Sequence, residues 1–67
     1  MNSTTTTKPE CKLSGQNGNV FNLIGIASNC LKKAGLETEA KEMSEKCFQS
    51  SSYDETIQII MNYVDVI

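Results

Sequence analysis

The chain contains no histidine and no arginine. Without histidine, a serine or cysteine nucleophile would have to rely on lysine or a carboxylate as its base. A zinc site would have to be built from cysteine, yet Cys11, Cys30 and Cys47 include no Cys-x-x-Cys pair. Their odd number and wide spacing do not make a disulfide framework. Each falls where a small apolar residue suits the pattern around it, so all three read as buried core thiols. The absence of arginine weighs against nucleic-acid readers, which usually fork guanidinium groups onto phosphate or guanine. The six basic residues are all lysine, they are scattered, and the net charge is −2. No cofactor and no metal is expected, and the chain is not expected to be an enzyme.

Long apolar runs are also missing. Nothing approaches the run of about 20 apolar residues that a membrane helix needs. The first residues carry no apolar core of a secretory leader, so the sequon at Asn2-Ser3-Thr4 reads as chance and a cytoplasmic location is expected.

With 67 residues there is room for one domain. Residues 1–9 are polar and threonine-rich and read as a disordered tail, leaving residues 10–67 as a single small helical domain. A fold of that size is near the lower end of what holds alone, so it needs an efficient core or a second subunit.

Cys11 and Leu13 alternate with Lys12, a short strand signal. Asn17 and Gly18 favour a turn, and Asn19 suits a helix N-cap. Val20, Ile24, Ala27, Leu31 and Ala34 then make one apolar stripe of a helix over residues 20–34, widened by Leu23, Ile26 and Cys30. Lys32 and Lys33 complement the dipole of its end, and Gly35 sits where a left-handed C-cap residue belongs. A second, more polar helix over residues 38–49 turns Ala40, Met43, Cys47 and Phe48 inward and sets Glu42 four residues before Lys46. Ser52 and Glu55 have the Ser-x-x-Glu spacing of a capping box and start a third helix, with Ile57, Ile60, Met61 and Val64 as its buried stripe. The alternating ending Tyr63-Val64-Asp65-Val66-Ile67, rich in β-branched residues, reads as a short strand, or as a helix fraying into one. The expected class is mostly α within small α+β: three short helices, with N- and C-terminal segments that could pair as two strands.

Little of this carries chemistry. Gly15 and Gly18 give only part of a dinucleotide fingerprint, and no Gly-Lys-Ser/Thr ending makes a P-loop. An anion could sit at the start of the first helix, but a turn followed by a cap explains the same residues. Asp54 and Glu55 are accounted for by the helix dipole. Phe21 and Phe48 fit the core, whereas Tyr53 and Tyr63 suit either an exposed patch or the edge of the core.

The stretch Gly15-Gln16-Asn17-Gly18-Asn19-Val20-Phe21, the Leu23-Ile24-Gly25 that follows, the Lys-Lys-Ala-Gly end of the first helix, Ser52-Tyr53-Asp54 and the ending Met61-x-Tyr63-Val64-Asp65-Val66 together resemble a family of small uncharacterised proteins of bacterial phages and mobile elements. The resemblance covers residues 13–66. The chain departs from the family by carrying Asn17 where an acid is common and by lacking arginines in the first helix. The resemblance implies a fold and a genomic setting, and no activity.

Subtraction leaves a non-catalytic accessory or adaptor protein that binds another protein, or a second copy of itself as a homodimer. The alternative is a small nucleic-acid-associated regulator of a mobile element, using Lys12, Lys32 and Lys33 as a weak basic face. A third reading places small-ligand or anion capture at the turn and cap formed by Asn17, Gly18 and Asn19.

Overall fold

The computed structural model describes residues 8–67. The elements in chain order are β1 (Glu10–Cys11), α1 (Val20–Lys33), α2 (Glu37–Gln49), α3 (Tyr53–Tyr63) and β2 (Asp65–Val66). The two strands pair in parallel, Glu10 opposite Asp65 and Cys11 opposite Val66, so the ends of the domain do meet. A parallel pair needs a long crossover connection, and here all three helices supply it. Of the tail expected over residues 1–9, the part up to residue 7 lies outside the described residues. The Pro9 carbonyl accepts from the Asp65 N–H at 2.8 Å, and the Lys8 ammonium donates to the Met61 carbonyl at 2.9 Å.

Local signals set the helix ends. The Asn19 side chain accepts from the Phe21 N–H at 2.9 Å and starts α1. At the far end Gly35 has φ +80°, the Leu36 N–H reaches the Leu31 carbonyl at 2.8 Å, and the Gly35 N–H reaches that of Lys32 at 3.0 Å. That is a Schellman ending, and it needs the left-handed glycine. Ser52 starts α3 by accepting from the Glu55 N–H at 3.1 Å. The reciprocal half of the box is shifted by one residue: the Glu55 carboxylate accepts from the Ser51 N–H at 2.8 Å and the Ser51 hydroxyl at 3.0 Å. Positive φ in the first loop falls on Gly15 (φ +79°), where the Gln16 N–H bonds the Leu13 carbonyl across a tight turn, and not on Gly18.

The core gathers one face of each helix. Leu23, Ile24, Ala27 and Leu31 come from α1, Ala40, Met43 and Cys47 from α2, Ile60 from α3, with Val64 and Cys11 closing the strand end. Each large aliphatic side chain removed from water here contributes about 1.5–3 kcal/mol. Buried Thr56 is satisfied, its hydroxyl contacting that of Ser50 and donating to the Ser52 carbonyl at 3.1 Å.

Four expectations about the core need correction: the phenylalanine pair, Met61, Ala34 and the cysteines. Phe21 and Phe48 are 67% and 63% exposed, and Met61 is 45% exposed, so none of the three is a core residue. Ala34 is exposed because the chain has already left the helix there, as its C-cap. The fourth concerns the cysteines: Cys47 is a buried free thiol, but Cys11 and Cys30 form a disulfide, their Cα atoms 5.9 Å apart. Packing of β1 against α1 brings together two residues that their separation of 19 along the chain does not connect.

Candidate functional site

A groove of about 290 Å³ opens where the first turn of α1, the last turn of α2 and the first turn of α3 converge. Val20, Phe21 and Ile24 line one side, Cys47 and Phe48 another, and Ser52, Tyr53 and Thr56 a third. Among the described residues no charged one lines it. Phe21 and Phe48 face each other across the mouth with ring centroids 6.2 Å apart, tilted by 32°, within the usual range of an aromatic pair. Tyr53 is half exposed, and its hydroxyl donates to the Gly18 carbonyl at 3.1 Å.

The helix starts explain the placement. Asn19 fixes the first turn of α1, so Phe21 emerges beside the cap instead of along the buried stripe that Leu23 and Ile24 begin. Ser52 does the same for α3 and holds Tyr53 in its first turn. Both rings therefore stand at helix ends and stay exposed, where Leu31 and Ile60 further along the same helices are covered.

The turn residues singled out in the sequence make the support of this groove. The Asn17 side chain accepts from the Asn19 N–H at 2.8 Å, and the Asn22 amide donates to the Asn17 carbonyl at 2.9 Å. With Gly18 held by Tyr53 and Asn19 used as a cap, the three residues are occupied with one another and with α1 and α3. Anion capture would have to displace these bonds.

The three lysines lie elsewhere. Lys32 and Lys33 are at the last turn of α1, about 18 Å along the helix axis from Val20. Lys12 follows Cys11, which the disulfide fixes beside Cys30, so Lys12 is carried to the same half of α1. All three are exposed. Of the charged residues next in sequence to the groove lining, Glu45, Asp54 and Glu55 are acidic, and the one base, Lys46, has its ammonium over the Tyr63 ring. The Ser51 N–H and hydroxyl hold the Glu55 carboxyl below the ordinary glutamate range.

A second cluster sits on the other face. The Tyr63 hydroxyl donates to Glu42 at 2.7 Å, and the Lys46 ammonium lies 5.4 Å from the Tyr63 ring centroid. The helical spacing of Glu42 and Lys46 is therefore bridged by a tyrosine from α3. Its contact raises the Lys46 pKa, while burial is the main cause raising that of Tyr63. Burial also raises the Cys47 thiol, favouring its protonated form.

Among the described residues no group of three or more His, Cys, Asp or Glu side chains could hold a metal ion. No helix among them is long and apolar enough to cross a membrane. No protein-family model, no curated protein and no solved structure matches the chain.

The sequence pointed to the turn and the caps because their residue types act locally. It missed Phe21 and Phe48 as surface residues, although one signal was present. It holds for Phe21, which lies one position off the stripe that starts at Val20; Phe48 lies eight residues after Ala40, on the expected stripe, and nothing in the spacing marks it as exposed.

Proposed function

We propose that this chain is a non-catalytic accessory or adaptor protein whose activity is to bind another protein through the aromatic groove. The observation that carries the reading is the exposure of Phe21, Phe48 and Tyr53 around one uncharged concavity. Scattered single apolar residues on a surface need no explanation, but three aromatic rings around one groove form the kind of anchor site that protein interfaces use. Such rings supply large contact area and lose few torsional degrees of freedom on binding.

Charge selects the occupant. With Glu45, Asp54 and Glu55 around the groove and the lysines of α1 at its far end, the complementary partner is a segment with one or two bulky apolar anchors flanked by Lys or Arg. A second copy docked across a two-fold axis would set acid against acid, which disfavours the homodimer version at this face. We place the protein in a phage or mobile-element setting, which rests on its resemblance to that family, and in the cytoplasm.

Selection of a random 12-residue peptide library on the oxidised full chain tests the reading. Recovered peptides should be enriched in Trp, Leu or Phe beside Lys or Arg, and should lose binding to the Phe48→Asp variant. Phe48 is exposed, so that variant should still fold. Recovery of acidic peptides, recovery of none, or equal binding by the variant would reject the groove. Concentration-dependent dimerisation abolished by Phe48→Asp would instead assign it to a second copy.

A nucleic-acid role is the second reading, carried by the disulfide's placement of Lys12 towards Lys32 and Lys33. Three lysines predict weak, steeply salt-dependent binding. Failure to shift duplex or single-stranded DNA at low salt would remove it.

A further inference from the structure

The three cysteines stand in three different surroundings. Cys47 is buried between α2 and the groove, which favours its protonated form. Cys11 is 1% exposed, sealed beneath β1. Cys30 is half-buried near the surface of α1. Apart from the Cys11–Cys30 bond, the arm formed by residues 8–13 is held to the rest of the fold by few interactions. Among the described residues these are a two-residue strand pair, the backbone bonds from Asp65 to Pro9, Ile67 to Cys11 and Leu13 to Ile67 at 2.8–3.0 Å, the Lys8 contact to the Met61 carbonyl, and the packing of Cys11 into the core with Leu13 against it. A strand pair this short is marginal on its own.

We propose that the Cys11–Cys30 disulfide is a reducible clasp, opened by a dithiol reductant, that decides how firmly the arm stays on the helical core. This inference is independent of the groove. The half-buried Cys30 is the accessible end of the bond. A thiolate of the dithiol attacks the Cys30 Sγ and forms a mixed disulfide; the Cys11–Cys30 bond breaks, and Cys11 leaves as a thiolate that takes up a proton. The second thiol of the dithiol then attacks the mixed disulfide and releases Cys30. The reductant ends as its own disulfide, and two electrons and two protons have passed to the protein.

The Cys11 Sγ lies 3.7 Å from the Ile26 carbonyl oxygen, so the freed thiol finds an acceptor where it already stands. The arm therefore keeps its seat after reduction but loses its covalent tie. Closing a loop of this length favours the closed state on the order of a hundredfold. Lys8 and Pro9 form part of the wall of a cleft of about 210 Å³ with Leu31, Leu36, Glu39, Asn62 and Tyr63, so an arm that leaves takes that wall with it. An oxidising compartment keeps the clasp shut, and a reducing cytoplasm opens it.

The test uses the full chain before and after treatment with dithiothreitol. Alkylation under denaturing conditions should count one free thiol before and three after. Hydrogen exchange at the amides of Leu13, Asp65 and Ile67, which bond across the arm, should accelerate on the order of tens to a hundredfold on reduction. The Ala40 and Thr56 amides in α2 and α3 should stay within a factor of about three. Three free thiols in chain first incubated with oxidised glutathione would overturn the clasp. So would uniform acceleration of every amide, which would make the bond a staple of the whole fold. Cys30→Ser should reproduce the reduced pattern; if that variant fails to fold, reduction of the wild-type chain in situ decides alone. Repeating the exchange on Phe48→Asp keeps the result separate from the groove, since the clasp should respond identically there.

Discussion

The two ends of α1 are finished in different ways. Its last turns carry Leu31 at 1% exposure, the disulfide to β1 and a Schellman ending that folds Leu36 back over Leu31. Its first turn carries Phe21 at 67% exposure beside a capping asparagine and a turn, while Leu23 and Ile24 behind it are buried. Similar apolar chemistry on one helix is thus sealed at one end and displayed at the other. A domain this small has little interior, so apolar surface left uncovered while a smaller side chain is sealed points to a use for that surface.

The contrast can be broken by measurement, starting with the core. Leu31→Ala should destabilise by about 2–5 kcal/mol in urea unfolding, because it leaves a cavity where nothing can collapse. Phe21→Ala should cost less than about 1 kcal/mol, since its ring already faces water. If the two losses prove equal, the groove end belongs to the core and the comparison fails.

Next in size is the covalent tie. Replacing Cys11 and Cys30 together with serine should weaken the hold on the arm at the sealed end by about 3 kcal/mol, read from exchange at Asp65 and Ile67 and not from urea unfolding of the helices. Cap removal should follow at about 1 kcal/mol each for Ser52→Ala and Asn19→Ala. Both caps support the groove, so either substitution should weaken peptide binding by more than its stability loss alone explains.

The smallest effect is electrostatic. Hydrogen bonds from Ser51 depress the Glu55 carboxyl below its unfolded value. Its contribution is therefore fully present above the unfolded glutamate value of about 4.3 and is lost as pH falls through the lower folded value. The stability difference between wild type and Glu55→Gln should shrink as pH drops below about 4. A difference that stays constant across that range would show that the carboxylate is not engaged.

How much of this was legible in the sequence depends on range. Asn19, Gly35 and Ser52 mark helix ends through groups one to five residues away, and the structure shows helix ends at each. The stripes of α1 and α2 were legible for the same reason, apart from their outermost members. Phe21 and Phe48 were misplaced because helical spacing gives a direction around the axis, whereas exposure at a helix end depends on whether a neighbour extends that far. The disulfide was hidden because its Cα separation follows from how β1 packs on α1. The strand pairing was legible as an option, but its parallel direction is a property of the three-helix path between the strands. For the groove, the turn and cap residues were visible and the aromatic rings that make it a surface were not.

The register of the strand pair has a consequence for the order of assembly. Glu10 and Asp65 are partners 55 positions apart along the chain (65 − 10), while each helix forms from contacts only a few positions apart. Joining such distant segments loses chain entropy that nothing offsets until the helices between them have already docked. The pairing should therefore be the closing event of folding, with α2 and α3 protected first in pulse-labelled exchange and Asp65 and Ile67 last. In the oxidised chain Cys11 is already tethered to α1, so the span left to close is shorter, and reduction should slow this last phase more than it slows helix docking.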